Sequence, residues 1–234
     1  VQKQREIITK LDSVSAKAKV FRAMERDYES FPKSVRMVMP EADRGALRNI
    51  HGPVSRLIRT EDSYTVAVEI ALGGAMQQIV VDTDADGKAA LSYLKRTGGG
   101  RATFLPLSTI QGKRLQENGL ENCRGFVGIA SELVSCQDQY RGIVENLLGR
   151  TVIVENIDNA ISMAKRYGNR FKIVTLDGQV MTAGGSMTGG TTSREAGILS
   201  RANELTKLTE QEAELTENLG KLEEEDTAAR RQAD

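Results

Sequence analysis

The stretch YTVAVEIALGG, residues Tyr64–Gly74, is similar to a later stretch of the chain, YRGIVENLLGR, residues Tyr140–Arg150. Tyr, Val, Glu, Leu and Gly occupy matching places in the two stretches. Three further pairs of segments follow in the same order: IVVD (79–82) with VIVE (152–155), ALSYLKR (90–96) with AISMAKR (160–166), and RATFLPL (101–107) with RFKIVTL (170–176). Four matching blocks in one order indicate an internal repeat.

Each copy of the repeat is predicted to be a helix–strand–helix–strand unit. The apolar runs IVVD and VIVE are typical of buried strands. The helices ALSYLKR and AISMAKR come after these strands, and Gly98 and Gly168 are predicted to cap their C-terminal ends. Strands joined through a helix pair in parallel by a right-handed crossover. The sequence therefore predicts an α/β globule of two similar subdomains, divided near Leu115–Arg124.

Both ends of the chain carry heptad patterns. Near the C-terminus the a positions are 198, 205, 212 and 219 and the d positions are 208, 215 and 222, with Glu212 a polar residue in the seam. Near the N-terminus the same steps join Ile7, Leu11, Val14, Ala18, Phe21 and Tyr28. Two narrow apolar seams that flank one globule predict an antiparallel coiled coil within the chain. The alternative is a pair of ordinary amphipathic helices packed on the core.

The predicted organisation has four parts. Residues 1–40 form an N-terminal arm with an entry helix over Lys33–Met39, since Pro32 interrupts the arm. Residues 41–119 and 120–193 form the two subdomains, and residues 194–234 form the C-terminal arm. The chain starts without Met and in a helical pattern, so we expect it to be a piece of a longer protein.

Composition narrows the functional classes. Lys and Arg together number 32, as do Asp and Glu, so no overall charge attracts nucleic acid or a membrane surface. No apolar run approaches the roughly 20 residues of a membrane span. Two cysteines, Cys123 and Cys136, are too few for a disulfide scaffold and wrongly spaced for a Cys-x-x-Cys pair. These features predict a reduced intracellular protein.

Motifs that resemble catalytic or metal sites are incomplete. DTDADG (82–87) matches the start of a calcium-binding loop, but Tyr93 stands where the bidentate Glu is required. Thr83 or Asp84 is instead expected to cap a helix. The single His51 has no evident catalytic companions and is interpreted as a turn residue. The sequence therefore predicts no enzyme activity, no metal and no small-molecule substrate.

The glycine-rich stretch VMTAGGSMTGG (180–190) has three interpretations. A phosphate-binding loop would need a lysine where this chain has glycine, which disfavours a nucleotide site. A plain flexible linker is a second reading. Glycines also occur where another backbone approaches closely, which favours a contact with a second protein chain.

These blocks in this order resemble the hinge of bacterial structural maintenance of chromosomes (SMC) proteins, from about Asn49 to Gly190. The resemblance implies a homodimer with two symmetry-related contacts, each between the first subdomain of one chain and the second subdomain of the other. It also implies that ATP and magnesium belong to ATPase heads elsewhere in the protein. The interface it implies comprises Gly184, Gly185, Ser186, Met187, Thr188, Gly189 and Gly190 on one side, and Arg101, Ala102, Thr103, Phe104 and Leu105 on the other.

Family hinges also contact DNA, so the resemblance adds weak DNA binding and a cytoplasmic, nucleoid-associated location as expectations. The candidate DNA contacts are Lys33, Arg36, Lys95, Arg96, Lys165, Arg166, Arg170 and Arg194. Aromatic residues make up only 4% of the chain, so platforms for base stacking are scarce. Solvated helix faces are the alternative role for these cations.

Overall fold

The computed structural model describes residues 2–26, 28, 30–191 and 197–233, with the side chains of the last helix described up to residue 224. The chain divides into two units. The smaller unit combines both ends, Val1–Ser30 and Arg201–Asp234, and the larger unit, the globule, is Phe31–Ser200. The domain boundaries predicted at residues 40, 119 and 193 stay predictions.

Helices and strands alternate through the globule. In chain order the helices are α1 (Gln2–Arg26), α2 (Lys33–Asp43), α3 (Val54–Leu57), α4 (Thr65–Leu72), α5 (Asp84–Thr97), α6 (Arg141–Leu148), α7 (Ile157–Arg166) and α8 (Ile198–Ala233). The strands are β1 (Ile50–Pro53), β2 (Ile58–Thr60), β3 (Ile79–Val81), β4 (Phe104–Pro106), β5 (Phe126–Ile129), β6 (Val134–Cys136), β7 (Thr151–Val154), β8 (Lys172–Thr175), β9 (Val180–Met181) and β10 (Met187–Thr188). Among the described residues, no helix combines the length and the apolar character of a membrane span.

The sheets follow the internal repeat. In the first half, β1 to β4, the strand order is β1-β3-β4, with β1 antiparallel and β4 parallel to β3. In the second half, β5 to β10, strands β5, β7 and β8 have the same order and directions. Strands β9 and β10 extend this second sheet to the order β10-β9-β8-β7-β5. The parallel pairs of the predicted α/β fold are confirmed.

Each half also contains two strands that precede the predicted unit. The first of them, β1 or β5, has a register irregularity at its glycine, Gly52 or Gly128. The second strands, β2 and β6, pair with each other, so that Ile58 lies opposite Cys136. This antiparallel pair ties the two halves together.

One cluster of buried side chains contains residues of both halves, and a second cluster lies within the second half. Val80 of β3, Ile153 of β7, Val68 of α4 and Val144 of α6 are at most 1% exposed and belong to one cluster of buried side chains. Burial on this scale supplies most of the free energy that stabilises a domain of this size. The halves therefore fold as one body.

The ends of the repeat helices decide one alternative of the sequence analysis and correct one detail. Thr83 is the N-cap of α5, and its side chain and that of Asp86 form a capping box, so Thr83 rather than Asp84 is the cap. Gly98 caps α5 in the left-handed conformation, as predicted. The cap of α7 is Tyr167, and Gly168 follows it with a φ of +64°. The left-handed glycine is therefore the residue after the cap and not, as predicted, the cap itself.

The smaller unit contains the predicted antiparallel coiled coil. Ser30 accepts a hydrogen bond from Arg201, Arg22 donates to Thr209, and Ser15 donates to Glu212 at 2.7 Å, so α1 and α8 run in opposite directions. Arg22 also pairs with Glu212 at 2.7 Å. The hydrogen bonds from Ser15 and Arg22 lower the pKa of the Glu212 carboxyl. The polar residue of the seam is thus satisfied within the coil.

Candidate dimer interface

The predicted glycine segment, Gly184–Gly190, lies at the outer edge of the second sheet. It contains the turn between β9 and β10 and the exposed strand β10 itself. Gly184 and Gly185 each have a φ of +96°, a conformation that favours glycine in such a turn. A Cβ at Gly189 would overlap the end of the flexible Gln179 side chain, which would have to move. The turn therefore accounts for Gly184 and Gly185 within the chain, and the contact of the segment with a partner stays a prediction.

The opposing segment, predicted as a strand over Arg101–Leu105, is shifted and shorter in the structure. Strand β4 covers Phe104–Pro106, and Arg101, Ala102 and Thr103 precede it. Pairing with β3 begins at the Thr103 carbonyl, which accepts from the Ile79 N–H at 2.9 Å. The residues before it complete the exit from α5 through Gly98 and Gly100, both with positive φ. The strand prediction was therefore wrong for residues 101–103.

Both segments present unpaired backbone at a sheet edge. Since Thr103 and Leu107 bond to β3, the alternate residue Phe104 directs its N–H and C=O outward. Since the Ser186 carbonyl accepts from Thr182 on the β9 side, Met187 directs its N–H and C=O outward as well. Pro106 in β4 fits an edge strand, because proline has no N–H to donate. Each edge can therefore accept another strand.

Two large apolar side chains, one on β10 and one on α5, are exposed in the single chain. Met187 of β10 is 55% exposed, and Leu91 of α5 is 50% exposed. Helix α5 packs on β4, and a Cβ at Gly87, one turn before Leu91, would lie 3.5 Å from the Phe104 Cβ. Sequence reasoning missed Leu91, because its spacing from Gly87, Ala90 and Leu94 matches a buried helical stripe. The chain itself covers only part of that stripe.

The candidate DNA contacts fall into two groups. Lys33 and Arg36 of α2 lie near Lys95 and Arg96 of α5, because the Lys33 Nζ donates to the Gly98 carbonyl at 3.2 Å. All four side chains are exposed. The other three, Lys165, Arg166 and Arg170, belong to the second half, where Arg170 pairs with Glu117 at 3.5 Å. Arg194 lies outside the described residues.

His51 is a strand residue and not, as the sequence suggested, a turn residue. Its Nε2 lies 2.6 Å from the Asp82 carboxylate and its Nδ1 lies 3.0 Å from the hydroxyl of Tyr140, in the second half. Both ring nitrogens therefore have a hydrogen-bond partner, a carboxylate on one side and a hydroxyl on the other. The arrangement links the halves through Tyr140, which is only 6% exposed.

Replacing His51 by Phe is expected to lower the free energy of unfolding by about 1–3 kcal/mol, because the buried Tyr140 hydroxyl loses its hydrogen-bond partner. Chemical denaturation measures this change. The double variant with Tyr140→Phe is expected to recover part of the loss, since both polar partners are then absent. Equal losses in the single and double variants would mean that this hydrogen bond contributes little.

Comparison with known proteins shows the family of this chain. The family model for the SMC proteins' flexible hinge domain matches residues 47–164. The chromosome partition protein Smc of Bacillus subtilis is 40% identical over 214 residues, which are 90% of this chain and 18% of that protein. The Smc of Halothermothrix orenii is 36% identical, over 86% of this chain and 17% of that protein. The chain thus spans less than a fifth of the length of these relatives.

Solved structures of SMC hinge domains have the same fold as this chain. A crystal structure described as an asymmetric dimer of the Geobacillus stearothermophilus SMC hinge domain superposes with a TM-score of 0.90 at 38% identity, covering 98% of this chain and 93% of that one. The Pyrococcus furiosus SMC hinge domain, at 24% identity and a TM-score of 0.58, shares the fold over 76% of this chain and 90% of that one. The matched region is a hinge and not a catalytic domain. The chain belongs to the SMC hinge domain family.

Proposed function

We propose that this chain is the dimerisation hinge of an SMC chromosome-organisation protein. Two copies pair and join their coiled-coil arms into a V- or ring-shaped dimer that serves chromosome condensation and segregation. The observation that carries the proposal is the pair of open edges, β4 and β10, on the two sheets of one chain. Both edge strands are short, β4 with three residues and β10 with two, and each carries backbone groups that a partner strand can bond.

The two edges are complementary. Strand β10 of one copy adds to β4 of the other, so that a three-stranded and a five-stranded sheet become one sheet of eight strands. A two-fold axis repeats this contact and closes the dimer with both edges used. Leu91 and Met187 lose their exposed apolar surface in the same step. A stable interface of this kind buries at least about 1,200 Å² in total.

Dimerisation by strand addition requires no cofactor from this chain. ATP and magnesium would act at the ATPase heads of the full-length protein, and its place of action would be the cytoplasm, at the nucleoid. The test is the molar mass in solution by light scattering across a dilution series. A mass near twice 25.6 kDa that persists on dilution supports the hinge dimer, whereas a mass of 25.6 kDa at every concentration contradicts it.

DNA binding is a second proposed function. The supporting observation is the exposed cluster of Lys33, Arg36, Lys95 and Arg96, which α2 and α5 bring together near Gly98. Lysine and arginine side chains contact phosphates and release counterions, so the binding is weak, sequence-independent and dependent on salt. The repeat-related Lys165 and Arg166 have no equivalent of α2 beside them in the described chain.

The double variant Lys95→Glu/Arg96→Glu is expected to weaken duplex binding about tenfold or more and to reduce the slope of log affinity against log salt by about 2. Fluorescence anisotropy at several salt concentrations measures both quantities. The matched control is Lys165→Glu/Arg166→Glu, with the same charge change in the second half. Equal losses in both variants would contradict a site at α2 and α5.

A further inference from the structure

The internal repeat places a glutamate at the same position of α4 and α6, Glu69 and Glu145. Each glutamate accepts hydrogen bonds from a segment outside its own half of the repeat. Glu145 accepts hydrogen bonds from Arg114, in the segment after β4, at 2.5 and 2.9 Å. Glu69 accepts hydrogen bonds from the backbone N–H groups of Leu199 at 2.6 Å and Ser200 at 3.2 Å. These two amides belong to the first turn of α8.

A glycine lies against the side chain of each of these two glutamates. A Cβ added at Gly112 would overlap the Glu145 carboxylate, and a Cβ added at Gly197 would overlap the Glu69 carboxylate. The same pairing of carboxylate and glycine therefore occurs twice, once in each half. The two copies differ in what they hold, since Glu145 binds a side chain and Glu69 binds the start of a long helix.

The Glu69 contact suits a helix start. The first N–H groups of an α-helix have no partner within the helix, and a carboxylate near them is stabilised by the helix dipole. Charge-assisted hydrogen bonds of this kind are shorter and stronger than neutral ones. Leu199, which supplies one of the two amides, has a side chain that is only 2% exposed and packs in the buried cluster that the two halves share.

Helix α4 is itself fixed at its other end. The Nζ of Lys172, in β8, donates to the carbonyls of Ala71 at 2.9 Å and Ile70 at 3.4 Å, in the last turn of α4. A cation at this position complements the negative end of the helix dipole. Burial lowers the pKa of the Lys172 ammonium, and its carbonyl partners offset part of that cost. Strand β8 belongs to the sheet whose outer strand is β10.

We propose that Glu69 anchors the first turn of α8, Ile198–Ser200, to α4 within the globule whose second sheet carries β10. The link to dimerisation rests on the proposed function, whereas the anchor itself does not. With the carboxylate in place, the start of α8 moves with the globule. Without it, the first turn of α8 opens independently of the rest of the fold.

Amide hydrogen exchange tests the anchor. In a Glu69→Ala variant, which removes the acceptor, exchange at Leu199 and Ser200 is expected to accelerate about tenfold or more relative to the amide of Ile153 in β7, which reports on global opening. The matched control is Glu145→Ala, which removes the repeat-related carboxylate and is expected to leave exchange at both amides unchanged. Wild-type exchange in a folded Glu69→Ala protein would overturn the anchor.

A double-variant comparison provides a second test. Gly197→Ala alone is expected to accelerate exchange at Leu199 and Ser200, because the new Cβ displaces the Glu69 carboxylate. In a Glu69→Ala background the same change is expected to have no further effect. Full additivity would overturn the proposal. The molar mass of each sample is measured separately, so a failure to dimerise counts against the proposed function and leaves the exchange comparison valid.

Discussion

A Met187→Glu variant is expected to be a folded monomer. Met187 is 55% exposed in the single chain, so a glutamate there costs the fold little. In the proposed dimer the same carboxylate would be buried without a partner, which costs about 3 kcal/mol or more. The two-fold axis places Met187 in both contacts, so the loss of about 6 kcal/mol raises the dissociation constant by roughly 10⁴-fold. Light scattering and circular dichroism measure mass and folding on the same sample.

Val20→Glu is the matched control. Val20, on α1 in the coiled-coil arm, is 54% exposed, so both substitutions add one negative charge at an apolar side chain that is more than half exposed. The control is expected to remain dimeric. A dimeric Met187→Glu protein would exclude β10 from the interface. Gly185 is a poorer position for this test, because its φ of +96° means that any side chain strains the turn before it affects a partner.

The sequence was sufficient to predict the elements whose pattern is local. Buried runs such as IVVD and VIVE became β3 and β7, and the heptads of both ends became the coiled coil. In these segments the period of the apolar residues and the capping residues agree with the final structure. Because of that agreement, the repeat can be identified from the amino-acid sequence alone.

The missed elements depend on contacts between distant residues. Strand β1 contains Gly52 and ends at Pro53, neither of which favours a strand, and it forms because β3 pairs with it. His51 has a partner from each half, which no local window contains. The exposure of Leu91 was equally unpredictable, because a helical stripe shows which residues are apolar and not which of them the chain covers.

An equimolar mixture of Leu91→Glu and Met187→Glu proteins is expected to form dimers, although each protein alone is monomeric. The reason is that each of the two symmetry-related contacts joins different surfaces, the α5 and β4 surface of one copy and the β10 edge of the other. A homodimer of either variant contains two damaged contacts. A mixed dimer combines both substitutions in one contact and leaves the other contact intact.

Native mass spectrometry of the mixture, with one protein carrying a mass tag, distinguishes mixed dimers from homodimers. Mixed dimers are expected to dominate and to dissociate more readily than the wild type, since one contact supplies only part of the binding free energy. A contact between like surfaces, in which Leu91 meets Leu91 or Met187 meets Met187, would give a different result. Every pairing would then carry a damaged contact, and the mixture would recover no more dimer than its components. Recovery in the mixture alone therefore requires that each contact be built from two different surfaces, as the open edges β4 and β10 predict.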